Sequence, residues 1–282
     1  MSGIIFSKLW VIESLPTGER KTGKHLFDNQ LEEAKRVRPE LITQFAAPET
    51  KCELFEVLQK IRDEAAIGTY PMIHFECHGC ERGLGTANRE LVKWDELREV
   101  LVDINRSTQL NLMIVVAACN GAHLINASTK LDAAPFWAII GPEVEVTDLH
   151  IQANFGQFYE SFFSSLDGDK AINVLNDGVD HNKRIYHFIS AAGLFARAYR
   201  SYFNRHCIGK GKEERLEHLL SEAMKNPEVA IRGEIWARQQ ILERLASEDQ
   251  HFDMLRRRFF FIDEFPGNDA RFPLSKDEIV GA

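Results

Sequence analysis

The sequence predicts an α/β fold, a mostly parallel sheet covered by helices on both faces, followed by a C-terminal helical extension. Three observations carry this expectation. Short blocks rich in β-branched and aromatic residues alternate with amphipathic stretches of helical period, the order that builds βαβ units. The block Leu112–Ala118 (LMIVVAA) is apolar without interruption, as a parallel strand covered on both sides must be. The blocks are separated by stretches long enough for the crossovers that parallel neighbours need.

The first strand is Ile4–Leu15 (IIFSKLWVIESL), which stops at Pro16. Pro16–Lys24 (PTGERKTGK) is turn chemistry, His25–Val37 reads as helix, and Leu41–Ala46 as a short second strand. Leu54, Val57, Leu58 and Ile61 recur at helical spacing, and Thr50 with Glu53 three positions later opens that helix with a capping box. Met72–Glu76 (MIHFE) is the third strand. Gly83 and Gly85 mark a turn or short hairpin, and Trp94–Ile104 is a helix with Leu97, Val100 and Leu101 inward. Leu112–Ala118 is the fourth strand and Phe136–Ile140 (FWAII) the fifth. Gln157–Leu166 and Ala171–Gly178 are helical, and Ile189–Phe203 is a last apolar segment of this core. From Lys210 the composition turns charged. Leu216, Leu219, Leu220 and Met224, then Ile231, Ile235, Ile241, Leu242 and Leu245, give amphipathic helices. The expected division is a core of residues 1–208 and an extension of 209–282.

A chain of 282 residues, 44% hydrophobic, buries one large core or a core with a small module. Lys plus Arg number 34 against 42 Asp plus Glu, a net charge of −8, so the overall field disfavours nucleic acid. Arg256-Arg257-Arg258 before Phe259-Phe260-Phe261 reads as a basic helix end followed by a buried apolar strand. The five cysteines are Cys52, Cys77, Cys80, Cys119 and Cys207. Their odd count and the lack of a signal-like leader fit a reducing cytoplasm, and no apolar run reaches the length of a membrane span.

Chemistry concentrates at two strand ends. The run His74-Phe75-Glu76-Cys77-His78-Gly79-Cys80 closes the third strand, and Ala118-Cys119-Asn120-Gly121 closes the fourth. Residues just beyond the carboxyl ends of neighbouring parallel strands share one rim, where open α/β folds assemble their sites. An imidazole there can take the proton of a thiol and make it a nucleophile, so His78 and Cys119 form a candidate dyad. Backbone N–H groups of Gly79 and Cys119 are the candidate oxyanion donors, and Gly79 lets a substrate backbone approach closely.

Strand-His78-Gly79 followed by strand-Ala118-Cys119-Asn120-Gly121 resembles the caspase-like cysteine peptidases, clan CD, and within them the bacterial CHAT-domain branch. Trp137–Ile140, then Asp148, then Phe155-Gly156-Gln157-Phe158-Tyr159 stand in the order of that branch. The resemblance spans roughly residues 4–203. It implies a caspase-like sheet and peptide-bond hydrolysis through a thioester, with no cofactor. It also implies a protein or peptide substrate, a separate sensor or regulatory protein, and a setting in bacterial signalling or antiphage defence. The pocket for the residue before the scissile bond falls by resemblance on Glu13, Ala117 and Asp148, an acidic slot suited to a basic side chain. Ala117 departs from the polar or acidic residue of caspases and metacaspases, and the cysteines flanking His78 belong to no motif of the family.

Three competing readings stand beside this one. A catalytically silent scaffold would bind proteins, docking them through residues 209–282. A zinc module would use Cys77, Cys80, Cys119 and His123. Gly18–His25 misses the Walker A pattern by placing His25 where a hydroxyl is needed, and is expected to be a solvated loop.

Overall fold

The chain is described by a computed structural model that covers residues 5–127, 130–177, 185–246 and 248–281. Ile4, the expected start of the first strand, and Gly178, the expected end of a helix, lie outside these residues. The elements run β1 (Lys8–Ser14), α1 (Thr22–His25), a π turn at Leu26–Gln30, α2 (Leu31–Val37), β2 (Ile42–Ala46), α3 (Lys51–Ala66) and β3 (Pro71–Cys80). The hairpin β4 (Gly83–Gly85) and β5 (Leu91–Lys93) leads to α4 (Trp94–Ser107), β6 (Met113–Ala117), a 3₁₀ turn at Gly121–His123 and α5 (Leu124–Ala127). β7 (Ala138–Pro142), α6 (Asp148–Ser165), α7 (Gly168–Leu175) and β8 (Tyr186–Ser190) complete the first of two compact units.

The sheet has eight strands, with the order β2-β1-β3-β6-β7-β8 along its main path and β4 and β5 extending from β3. Along the main path the pairs β2-β1, β1-β3, β3-β6 and β6-β7 are parallel, while β8, at the edge, runs antiparallel to β7, as β4 does to β3 and β5 to β4. This is an α/β, mostly parallel sheet with helices on both faces, consistent with a caspase-like fold. Right-handed crossovers explain the two faces. The chain leaves β1 one way to reach β2 and leaves β3 the opposite way to reach β6, so the connecting helices fall on opposite sides. On one side Leu9, Val11, Met72, Met113 and Val115 meet Leu31 of α2 and Phe155, Phe158 and Phe162 of α6. Their alternates Trp10, Ile12, Ile73, Phe75, Ile114 and Val116 point to the other side, the side of α3 and α4, and are equally buried. The carboxyl ends of β1 and β3, whose chains depart in opposite directions, mark the switch point where open sheets form a crevice.

The second unit comprises Lys130–Asp132 and Ala192–Ala282. Its helices are α8 (Ala191–His206), α9 (Gly209–Ala223), α10 (Pro227–Arg232), α11 (Glu234–Ala246), α12 (Glu248–Phe259), α13 (Gly267–Arg271) and α14 (Lys276–Gly281). Its core is aromatic: Phe195 packs on Tyr199, Phe252, Phe259 and Phe260 at centroid distances of 5.3–6.0 Å. The unit begins at Ala192 rather than near residue 208, so the apolar stretch Ile189–Phe203 divides into β8 and α8. Phe259–Phe261 is buried as expected, but Phe259 ends α12 and Phe260 and Phe261 form a turn, with Phe261 at a φ of 54°, instead of a strand. Arg256 meets Asp253 and Asp269, and Arg257 meets Asp263, so two of the three arginines of the basic helix end are paired within their own unit. Among the described residues no helix is long and apolar enough to cross a membrane.

Candidate active site

Strand β3 does not stop at Glu76. It continues to Cys80 because His78, Gly79 and Cys80 pair antiparallel with Gly85, Leu84 and Gly83 of β4. β6 ends at Ala117, and Asn120 then takes the left-handed conformation, φ 57°, which asparagine tolerates better than most residues. The chain turns at once into Gly121–His123. A Cβ on Gly121 would fall 2.6 Å from Val116 Cγ1, so the turn folds tightly back on the strand it leaves. Both reactive side chains thus stand at adjacent strand ends, and both line one cleft of about 440 Å³. Leu15, Glu19, Arg20, Thr22, Glu76, Cys77, Ala117, Ala118, Val146, Asp148 and Ile151 share that cleft with them.

Each member of the candidate dyad has a partner of its own. His78 Nε2 lies 2.6 Å from Glu19 Oε2, a short bond between two half-exposed groups. An imidazole that donates Nε2–H to a carboxylate keeps its Nδ1 lone pair available as a base. The Cys119 sulfur receives the Val146 N–H at 3.4 Å and directs its own proton to the Val146 carbonyl at 3.5 Å. Gly79 serves a different approach from the one expected of it. A Cβ there would stand 1.9 Å from the Cys119 carbonyl oxygen, so it is the chain's own backbone that fills this space.

The expected specificity residues separate. Ala117 lines the cleft. Asp148 stands at its mouth, but as the first residue of α6, with Thr147 as N-cap, and its carboxylate lies 3.3 Å from Arg20 Nε. Glu13 does not line the cleft. It is buried beneath α1, and Oε2 accepts the Gly23 and Lys24 amides at 2.9 and 3.0 Å. Burial is the main reason its carboxyl is held above the ordinary carboxylate range, and the neighbouring charge of Glu76 adds to this.

Glu76, which carries no expectation from the strand-end motifs, lines the cleft where Glu13 does not. It is paired in register with Glu13 on one side and Ala117 on the other. Alternation along β3 was the available signal, since His74, Glu76 and His78 must share one face. Beneath the cleft a buried chain runs from Tyr159 Oη to His74 Nδ1 (2.8 Å), from His74 Nε2 to Glu76 Oε1 (2.9 Å) and from Thr22 Oγ1 to Glu76 Oε2 (2.7 Å). The segment Gly18–His25 is therefore not simply a solvated loop. Thr22 and Gly23 are buried under the rim, and a Cβ on Gly23 would meet Glu76 Cγ at 2.8 Å. Glu19 came from the same segment and carried no sequence signal beyond its position after β1.

As for the zinc set, Cys77 is buried and its thiol is pushed up to about 12, first by burial and then by the charges of Glu76 and Glu13, although the Ser14 backbone opposes this. Among the described residues no group of three or more His, Cys, Asp or Glu is arranged to hold a metal ion.

No protein-family model matches the chain, and no curated protein matches it by sequence.

Proposed function

We propose that the chain is a cysteine endopeptidase. The observation that carries this reading is that His78 and Cys119, at the ends of adjacent strands, line one cleft, with the Glu19 carboxylate on His78 Nε2. In the proposed reaction His78 Nδ1 takes the Cys119 proton as the sulfur adds to the carbonyl carbon of the peptide. The resulting oxyanion is held by backbone N–H groups, of which those of Gly79 and Cys119 are the candidates. His78 then returns the proton to the leaving nitrogen as the C–N bond breaks, which leaves a thioester on Cys119. Water, deprotonated by the same imidazole, attacks the thioester, releases the acid and restores the thiol. Glu19 acts as a positioning residue that fixes the imidazole tautomer, as the third member of a triad does.

The Val146 contacts to the sulfur favour a resting form in which the nucleophile is held until a substrate or regulatory protein displaces that loop. A reducing cytoplasm suits a free thiol nucleophile, and bacterial signalling or antiphage defence remains the setting that the family resemblance suggests. The test is labelling with an electrophilic thiol probe, together with cleavage of a peptide library, by wild type, Cys119→Ala and His78→Ala. We expect labelling at Cys119 that depends on His78 and cleavage lost in both variants by several orders of magnitude. Binding of a protein partner with intact Cys119 and no turnover of any peptide supports the silent scaffold instead.

A further inference from the structure

The cleft deepens from an exposed mouth to a floor almost closed to water, where Thr22 is 3% exposed and Glu76 and Ala117 are each 1% exposed. Charge on that floor is decided by how the protons are shared. If Tyr159 donates to His74 Nδ1, His74 Nε2–H donates to Glu76 and Thr22 donates to the other carboxylate oxygen, every donor in the chain is used. The doubly protonated imidazole would force Tyr159 to accept, and its own hydrogen would be stranded in a fully buried place. The consistent assignment is a neutral His74 and an ionised Glu76.

After burial itself, Glu76 contributes to raising the proton affinity of Glu13, Cys77, Tyr159 and Tyr186. Among the described residues no lysine or arginine pairs with Glu76. The one arginine lining the cleft, Arg20, is engaged at the mouth by Asp148 and Gln152. The Tyr186 hydroxyl is buried without a partner among the described residues. A buried anion with hydrogen bonds but no counter-charge is costly unless a cation arrives from outside.

We propose that Glu76 is the specificity-determining floor of this cleft and selects a lysine or arginine side chain of the substrate. The inference rests on the peptidase reading above. Ala117 and Ala118, which precede Cys119, line the cleft with Glu76, and Ala117 is paired in register with Glu76 on the next strand, so a long side chain on the residue whose carbonyl Cys119 attacks would reach Glu76 past Ala117. A long side chain with a cationic tip satisfies the cleft twice: its methylenes pass the small alanines, and its charge meets the carboxylate in a water-poor place. Asp148, already paired with Arg20, guards the mouth rather than reading the substrate.

The experiment compares peptides that differ only at the residue before the scissile bond, carrying arginine, lysine, citrulline, leucine or aspartate. We expect wild type to cleave arginine over its uncharged analogue citrulline by roughly 10- to 100-fold in kcat/KM, the range for a lost charged partner in a buried site. Glu76→Gln keeps the shape and should bring arginine and citrulline to near parity, while probe labelling of Cys119 persists. A variant that does not fold is replaced by Ala117→Leu, which fills this part of the cleft from the next strand and should exclude arginine and lysine while sparing alanine. Parity of arginine and citrulline in wild type, preference for leucine or aspartate, or a basic preference untouched by both substitutions overturns the inference and leaves the dyad standing. Absence of His78-dependent labelling together with no cleavage of any peptide instead rejects the peptidase reading, and this subsite with it.

Discussion

Gly79 brings β3 close against the Cys119 backbone, and nothing larger than hydrogen fits at its Cα. Gly79→Ala must push the Cys119 carbonyl away or unpair β3 from β4. Overpacking of this kind costs about 1–3 kcal/mol, so urea unfolding should show a loss of that size together with weakened labelling of Cys119. An alanine variant with unchanged midpoint and labelling would show that the two segments separate freely. Glu13 gives a pH-dependent test in the same row of residues. Because burial lifts its carboxyl above the ordinary value of 4.5, the folded chain holds that proton to a higher pH than the unfolded chain does. Ionising Glu13 therefore costs stability, and this contribution is lost as pH rises from about 4.5 through the folded value. Glu13→Gln, which still offers an oxygen to the Gly23 and Lys24 amides, should gain stability relative to wild type at pH 7.5, and the gain should shrink at pH 4. A gain equal at both pH values, or larger in acid, contradicts the assignment. These residues also mark the limit of the sequence reading. His78 and Cys119 are legible because each ends an apolar block. Which of Glu13 and Glu76 reaches the cleft depends on where α1 lies, and α1 comes from a segment whose local composition reads only as a turn.

At the scale of elements, the best-read feature is the start of α3. Thr50 Oγ1 accepts the Glu53 amide at 3.1 Å and Glu53 Oε2 accepts the Thr50 amide at 3.2 Å, both halves of the capping box that the spacing announces. Thr50→Ala should cost about 1 kcal/mol in chemical denaturation without touching the cleft, and an unchanged midpoint would mean that the cap is dispensable. The least-read feature is β8. Tyr186–Ser190 passes directly into α8 with no intervening loop, so its apolar residues merge with helical ones, and an antiparallel edge strand has no crossover to betray it. A side chain far from obvious motifs fixes its entry. Asn176, just after α7, accepts the Ile185 and Tyr186 amides at 2.9 and 3.0 Å and donates to the Tyr186 carbonyl at 3.0 Å. Asn176→Ala leaves three backbone groups to find water. A loss of about 1–3 kcal/mol is expected, with amide exchange faster in β8 than in β6, and uniform exchange in both strands would argue against this anchor.

For the whole molecule, the five cysteines offer one measurement that samples both units. None is bridged among the described residues, and their settings differ: Cys52 is exposed, Cys80 and Cys119 are partly exposed, and Cys77 and Cys207 are buried. Reaction with a small alkylating agent needs both access and thiolate. Cys77 has little of either, since it is buried although it borders the cleft, and its thiol is pushed up to about 12. Cys207 is covered within the helical unit, where the Arg215 guanidinium reaches its sulfur at 3.6 Å. Brief alkylation of native protein followed by peptide mass spectrometry should therefore modify Cys52, Cys80 and Cys119, and leave Cys77 and Cys207 intact until denaturant is added. If the proposed chemistry is right, Cys119 should also be the one site whose rate falls in His78→Ala, whereas Cys52, on the outer face of α3, should be indifferent to it. Rapid native modification of Cys77 would mean that β3 opens at its end and that the floor built on Glu76 is not closed to water. Rapid modification of Cys207 alone would confine the opening to the helical unit.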